Sequence, residues 1–155
     1  MMPGAGPKPR NTKLKLLIVD DELAIRTMLI QIFNRSGHSV RACADGCSAL
    51  SGIQNRIPDI LLSDLNMPGM SGFELLAAVH RQFPGVKTIA MSGAYCGADL
   101  PIGVEADAFY NKATGLDSLI KIVDRVAARG VWFQPPGAEL ERRKTRQISS
   151  KIHLV

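Results

Sequence analysis

The sequence predicts an α/β protein, a doubly wound parallel sheet of five strands with helices on both faces. Three observations carry this reading. Apolar runs of strand length alternate with segments of helical periodicity, the first and third runs are apolar almost throughout, and the first, third, fourth and fifth end on polar residues. A strand apolar on both sides has to be covered on both sides, which parallel sheets with crossover helices achieve.

Taken in order, residues 1–13 are a Pro-, Gly- and Lys-containing lead that reads as a flexible arm. Residues 14–19 form the first strand, which stops at Asp20 and Asp21. Over residues 22–35, Leu23, Ile25, Met28, Leu29, Ile32 and Phe33 recur at helical spacing, and Gly37 is the stop. The alternation repeats: a strand at 39–44, a short helix at 48–55, and a strand at 60–63 ending at Asp64. A helix at 71–83 follows from the spacing of Phe73, Leu76, Val79 and Phe83, and a strand at 86–91 ends at Ser92. Pro101 argues against a full helix across 98–104, so that region is expected to be short or irregular. A strand at 108–111 ends at Lys112, and residues 116–128 close the domain as an amphipathic helix. Beyond Gly130 come Val131, Trp132 and Phe133, then Pro135 and Pro136, then a charged run at 139–146. The expected division is an arm (1–13), one domain (14–130) and a basic extension (131–155) without an effector domain.

Composition bounds the function. A chain of 155 residues, 46% hydrophobic and 21% charged, has the make-up of one globular domain. No apolar stretch is long enough to cross a bilayer and no secretory leader is expected, so the protein is read as cytoplasmic. Cys43, Cys47 and Cys96 are an odd count without a CxxC pair, which points to buried or half-buried thiols rather than disulfides or zinc. The net charge of +5 is unevenly spread: residues 1–15 carry +4 and residues 139–155 carry +3, which leaves −2 for the middle. The basicity belongs to the ends, and nucleic acid is not expected as a partner.

Ligands of open α/β sheets bind beyond the carboxyl ends of the strands. Here those positions hold Asp20 and Asp21, Asp64, Ser92 and Lys112. One Asp after a strand is ordinarily a turn former, but five polar groups at four strand ends are a constellation. Three converging carboxylates repel one another unless a cation sits among them, and hard oxygen ligands with open positions suit Mg²⁺. Asp64 can then act as nucleophile toward a phosphoryl group, Lys112 can screen the developing charge, and Ser92 can donate to a phosphoryl oxygen. Gly93 and Ala94 leave room for that group, while Pro68, Gly69 and Gly72 shape the loop after Asp64.

The stretches Leu16-Leu17-Ile18-Val19-Asp20-Asp21-Glu22, Ser63-Asp64-Leu65-Asn66-Met67-Pro68-Gly69-Met70-Ser71-Gly72, Met91-Ser92-Gly93-Ala94 and Phe109-Tyr110-Asn111-Lys112 resemble the receiver domains of bacterial two-component response regulators. The resemblance runs from about residue 14 to 128 and implies a flavodoxin-like fold of five strands and five helices. It implies Mg²⁺ held by Asp21, Asp64 and the main-chain carbonyl of Asn66, with Asp20 acting through water. It also implies phosphorylation of Asp64 by a sensor histidine kinase or phosphotransfer protein. Ser92 would then turn toward the phosphoryl group and Phe109, at the switch-aromatic position, would move inward, altering the surface offered to a downstream protein target.

The chain departs from that pattern after the lysine, where the family usually has a cis proline and this sequence has Ala113. A cis bond before a non-proline residue costs about 3 kcal/mol, so a trans Lys112–Ala113 bond is expected, with a modest shift of the lysine or its loop. Among rival readings, an aspartyl phosphatase needs a second carboxylate two residues past its nucleophile, where this chain has Asn66. The expected role is therefore a phosphoacceptor with at most slow autophosphatase activity, not a turnover enzyme. No GxxxxGK[ST] or GxGxxG loop is present for a nucleotide. A degenerate receiver, binding partners without taking phosphate, is the alternative. His38 and His80 are expected to be solvated.

Overall fold

The computed structural model describes residues 12–93 and 103–132. In chain order the elements are β1 (Lys15–Val19), α1 (Leu23–Arg35), β2 (Ser39–Cys43), α2 (Gly46–Asn55), β3 (Ile60–Asp64), α3 (Gly72–Gln82), β4 (Lys87–Ser92), β5 (Ala108–Asn111), a 3-10 turn (Lys112–Thr114) and α4 (Leu116–Trp132). All five strands are parallel and lie in the order β2-β1-β3-β4-β5. The winding reverses between β1 and β3, where a doubly wound sheet opens its crevice.

β1 shows why an inner strand of this sheet is apolar on both faces. Leu16 and Ile18 face one layer, where they meet Leu29 and Phe33 of α1 and Leu119, Val123 and Val126 of α4. Leu17 and Val19 face the other, against Ala49 and Ile53 of α2 and Leu75, Leu76 and Val79 of α3. Each such side chain removed from water contributes about 2 kcal/mol before entropy is counted. The two cores clamp the sheet between them.

The element boundaries differ from the sequence expectation in two informative places. α2 begins at Gly46 rather than at residue 48, because the Asp45 side chain accepts from the Ser48 backbone N–H and sets the N-cap ahead of the expected start. The last helix does not stop at residue 128 but continues through Gly130 to Trp132. A single glycine costs about 1 kcal/mol in a helix, too little by itself to end a well-packed one.

The Lys112–Ala113 bond is trans, as expected. Cys47 is exposed rather than buried, because it occupies an outward position on the first turn of α2, while Cys43 is half-buried. His38 is not simply solvated: its Nδ1 accepts from the Leu14 backbone N–H at 3.2 Å and its ring lies 6.3 Å from that of Phe33. Residues 103–107 form turn and coil. Ala94, Cys96, Pro101, most of the expected arm and nearly all of the basic extension lie outside the described residues.

Candidate functional site

Asp20 follows β1 and continues its ladder, with its N–H donating to the Cys43 carbonyl at 3.2 Å. This places a carboxylate that is fully buried. It persists there because both of its oxygens and the main-chain carbonyl beside them are bonded. Oδ1 accepts the Glu22 N–H at 2.9 Å, Oδ2 receives Lys112 Nζ at 2.8 Å, and the main-chain carbonyl accepts Arg26 Nη1 at 2.7 Å. The part played by Arg26 is not among the sequence expectations. An arginine in the first turns of a helix carries no signal until the preceding turn is seen to fold under it.

Asp64 ends β3, adjacent to β1, and is 5% exposed. Its Oδ1 accepts the Asn66 N–H at 3.3 Å and its Oδ2 lies 3.4 Å from Lys112 Nζ. Burial pushes the Asp64 carboxyl above the ordinary carboxylate range; Lys112 pulls it back, and Asp20 adds to the rise. Lys112 is itself held above the ordinary lysine value, because its bond to Asp20 and the charges of Asp20 and Asp64 outweigh its desolvation.

Asp21 is exposed, but one oxygen from each of Asp20, Asp21 and Asp64 lies within 4.8 Å of the other two. In an octahedral shell with bonds of 2.0–2.1 Å, ligand oxygens stand ~2.9–4.2 Å apart, so Asp21 and Asp64 need only a small closure to share a magnesium ion, with Asp20 near enough to act through water. Charge agrees with geometry: three carboxylates and one ammonium leave −2, which a divalent cation matches. The donor set therefore fits Mg²⁺.

Ser92 ends β4 and is fully buried, with its hydroxyl receiving the Asn66 side-chain amide at 3.3 Å. The sequence expectation for Asn66 concerns its main-chain carbonyl, so this side-chain contact is an addition. Among the described residues, a methyl group on the Gly93 Cα would have Lys112 Cβ as its nearest neighbour, at 3.9 Å. Phe109 on β5 is 8% exposed and already lies with the α2–α3 core. Asp20, Asp21, Asp64, Asn66, Ser92 and Lys112 are thus gathered at one edge of the sheet. No helix among the described residues is long and apolar enough to cross a membrane.

The chain is similar to several known proteins. Transcriptional regulatory protein TcrA of Mycobacterium tuberculosis is 28% identical over 144 residues, covering 90% of this chain but 57% of TcrA, so the chain spans little more than half of that relative. Sporulation initiation phosphotransferase F of Bacillus subtilis is 36% identical over 86 residues, 56% of this chain and 68% of that protein. Response regulator protein TrrA of Thermotoga maritima, crystallised in complex with Mg²⁺-BeF, matches with a TM-score of 0.68 at 26% identity over 74% of this chain and 99% of TrrA. TrrA has also been crystallised with histidine kinase ThkA, in a structure that matches with a TM-score of 0.67 at 27% identity over 74% of this chain and 98% of the other. The family model for the response regulator receiver domain matches residues 16–124, a span that takes in almost the whole sheet and every residue of its crevice, and on that ground the chain belongs to the response regulator receiver domains.

Proposed function

We propose that Asp64 is the phosphoacceptor of this receiver domain. The observation that carries the assignment is the placement of its carboxylate, 3.4 Å from the Lys112 ammonium and beside the carboxylates of Asp20 and Asp21. An Asp64 oxygen attacks the phosphorus of a phosphohistidine on a sensor histidine kinase or phosphotransfer protein. The P–N bond breaks, the imidazole leaves with the electron pair and takes up a proton, and an acyl phosphate remains on Asp64. Lys112 screens the equatorial oxygens, and the Ser92 hydroxyl donates to one of them. Asp21, Asp64 and the Asn66 carbonyl would hold Mg²⁺, with Asp20 reaching it through water. When bound, the ion neutralises the acid cluster and the transferring phosphoryl charge.

The output is a change of surface. If Ser92 moves toward the phosphoryl group it gives up the Asn66 amide, and Phe109, paired with Ala90 on the neighbouring strand, is the aromatic placed to respond. A protein target reads the altered packing, and the kinase of TrrA is the precedent for the upstream partner. The chain acts as an acceptor rather than a turnover enzyme, since Asn66 replaces the carboxylate that a phosphatase would use to activate water. Residues 14–130 form the receiver unit, with a basic extension at 131–155, and the protein works in the cytoplasm.

Incubation with acetyl phosphate, with and without Mg²⁺, read by intact mass beside Asp64→Ala, tests the assignment. A Mg²⁺-dependent adduct on the wild type alone is expected. Binding of Mg²⁺ without an adduct would instead make the chain a degenerate receiver that binds its partners without phosphate.

A further inference from the structure

A lysine that must meet two carboxylates needs a turn that presents it. Receiver domains usually build that turn with a proline after the lysine, and this chain has Ala113. We propose that Asn111 is a positioning residue for Lys112, its side chain doing what the missing proline would otherwise do.

β5 ends at Asn111, and Lys112–Thr114 form a single 3-10 turn with Asn111 at its N-cap. Asn111 Oδ1 accepts the Ala113 backbone N–H at 3.0 Å. The two residues flanking Lys112 are thereby tied to each other, and the backbone rotations of Lys112 are enclosed between them. A proline at 113 has no N–H, so this bond exists only because the sequence departs from the usual pattern. Two further bonds close the turn. Thr114 Oγ1 donates to the Asn111 carbonyl at 2.7 Å, and the Tyr110 hydroxyl donates to the Gly115 carbonyl at 3.1 Å. Gly115 takes φ +85°, a conformation that favours glycine, and so releases the chain into α4. From this frame the lysine reaches 2.8 Å from Asp20 and 3.4 Å from Asp64.

The consequence for phosphoryl binding rests on the function proposed above, but the positioning does not. Both are measured by pairing the ¹⁵N resonance of the Lys112 ammonium with the affinity for beryllofluoride in Mg²⁺. Asn111→Ala is expected to shift and broaden the Lys112 resonance and to weaken beryllofluoride binding about fivefold, the equilibrium factor of one ordinary hydrogen bond. Asn111→Ser, which keeps an oxygen able to cap the turn, is expected to restore both. In an Ala113→Pro background, where there is no N–H to accept, the effect of Asn111→Ala on both is expected to be smaller. An unaltered Lys112 resonance in Asn111→Ala overturns the proposal. So does an undiminished effect in the proline background, which would place the action of Asn111 elsewhere. A wild type that fails to bind beryllofluoride would sink the phosphoacceptor reading, while the resonance would still decide the positioning.

Discussion

Lys112 is bonded more closely to Asp20 than to Asp64, at 2.8 Å against 3.4 Å, although Asp64 is the residue to which the chemistry is assigned. The tighter partner is also the more deeply buried of the two carboxylates. Asp20 thus serves as an anchor that parks the ammonium within reach of Asp64. A lysine held by the acceptor itself would have to break its strongest bond whenever a phosphoryl group arrived.

Removal of the ammonium leaves two buried carboxylates facing each other. Lys112→Met is expected to lower stability by about 2 kcal/mol, less than the ~3–5 kcal/mol of a fully buried pair because the lysine side chain keeps 20% exposure. Added Mg²⁺ should recover much of the loss by supplying the missing positive charge. Urea unfolding of the variant with and without Mg²⁺ reads both effects, and equal stability of variant and wild type without the ion would show that the pair carries no weight.

The opposite sign is expected for Asp64→Asn. Burial makes the charged carboxyl of Asp64 unfavourable, and Asp20 adds to this, so a neutral amide should stabilise the metal-free protein. With Mg²⁺ at a hundred times its dissociation constant, the wild type gains about 2.7 kcal/mol by linkage and the variant gains less. The order of stability should therefore reverse on adding the ion, a crossing that thermal melts in EDTA and in Mg²⁺ would reveal.

The pH dependence has a sign that follows from the same bonds. Lys112 titrates above its ordinary value of 10.5, and Tyr110, through burial opposed by Lys112, above 10.0. A group whose proton is held more tightly in the fold contributes stability that is complete below its unfolded value and lost as pH rises through the folded one. Stability should accordingly fall from about pH 10 upward. The fall should be shallower in both Lys112→Met and Tyr110→Phe, and chemical denaturation at successive pH values would show whether either substitution flattens it.

What can be read from the sequence is what depends on strand ends. Asp20, Asp64, Ser92 and Lys112 converge because parallel strands all point their carboxyl ends the same way, whatever the details of packing. The start of α2 escapes the apolar pattern because its cap lies in one Asp45 side chain ahead of that pattern, and the end of α4 lies beyond Gly130 because a glycine has less breaking power in a packed helix than in an isolated one. Arg26 and Asn111 are illegible for a common reason. Each acts through a main-chain atom of a turn, and the shape of that turn is a consequence of the fold, not a periodicity in the chain.

Gly72 is the position where fold and site meet most tightly. A methyl group there would stand 1.9 Å from the Asp64 carbonyl oxygen and 2.6 Å from Leu65 Cα, both main-chain atoms that cannot swing aside. Gly72→Ala must push α3 off the end of β3, at a cost near the upper end of the ~1–3 kcal/mol of overpacked sites. Because the nearest of the displaced atoms belongs to Asp64, Mg²⁺ affinity should fall as well, by roughly tenfold if the shift costs the site about 1.4 kcal/mol. Gly93→Ala is the control, since among the described residues its methyl meets only Lys112 Cβ, at an ordinary 3.9 Å. It should leave stability within about 0.5 kcal/mol of wild type and slow acetyl phosphate transfer by crowding the phosphoryl site. Mg²⁺ titration and urea unfolding of the two variants separate these cases. If Gly72→Ala bound Mg²⁺ like the wild type, the loop after Asp64 would be free to move without its carboxylate, and the close approach of α3 would matter to the fold alone.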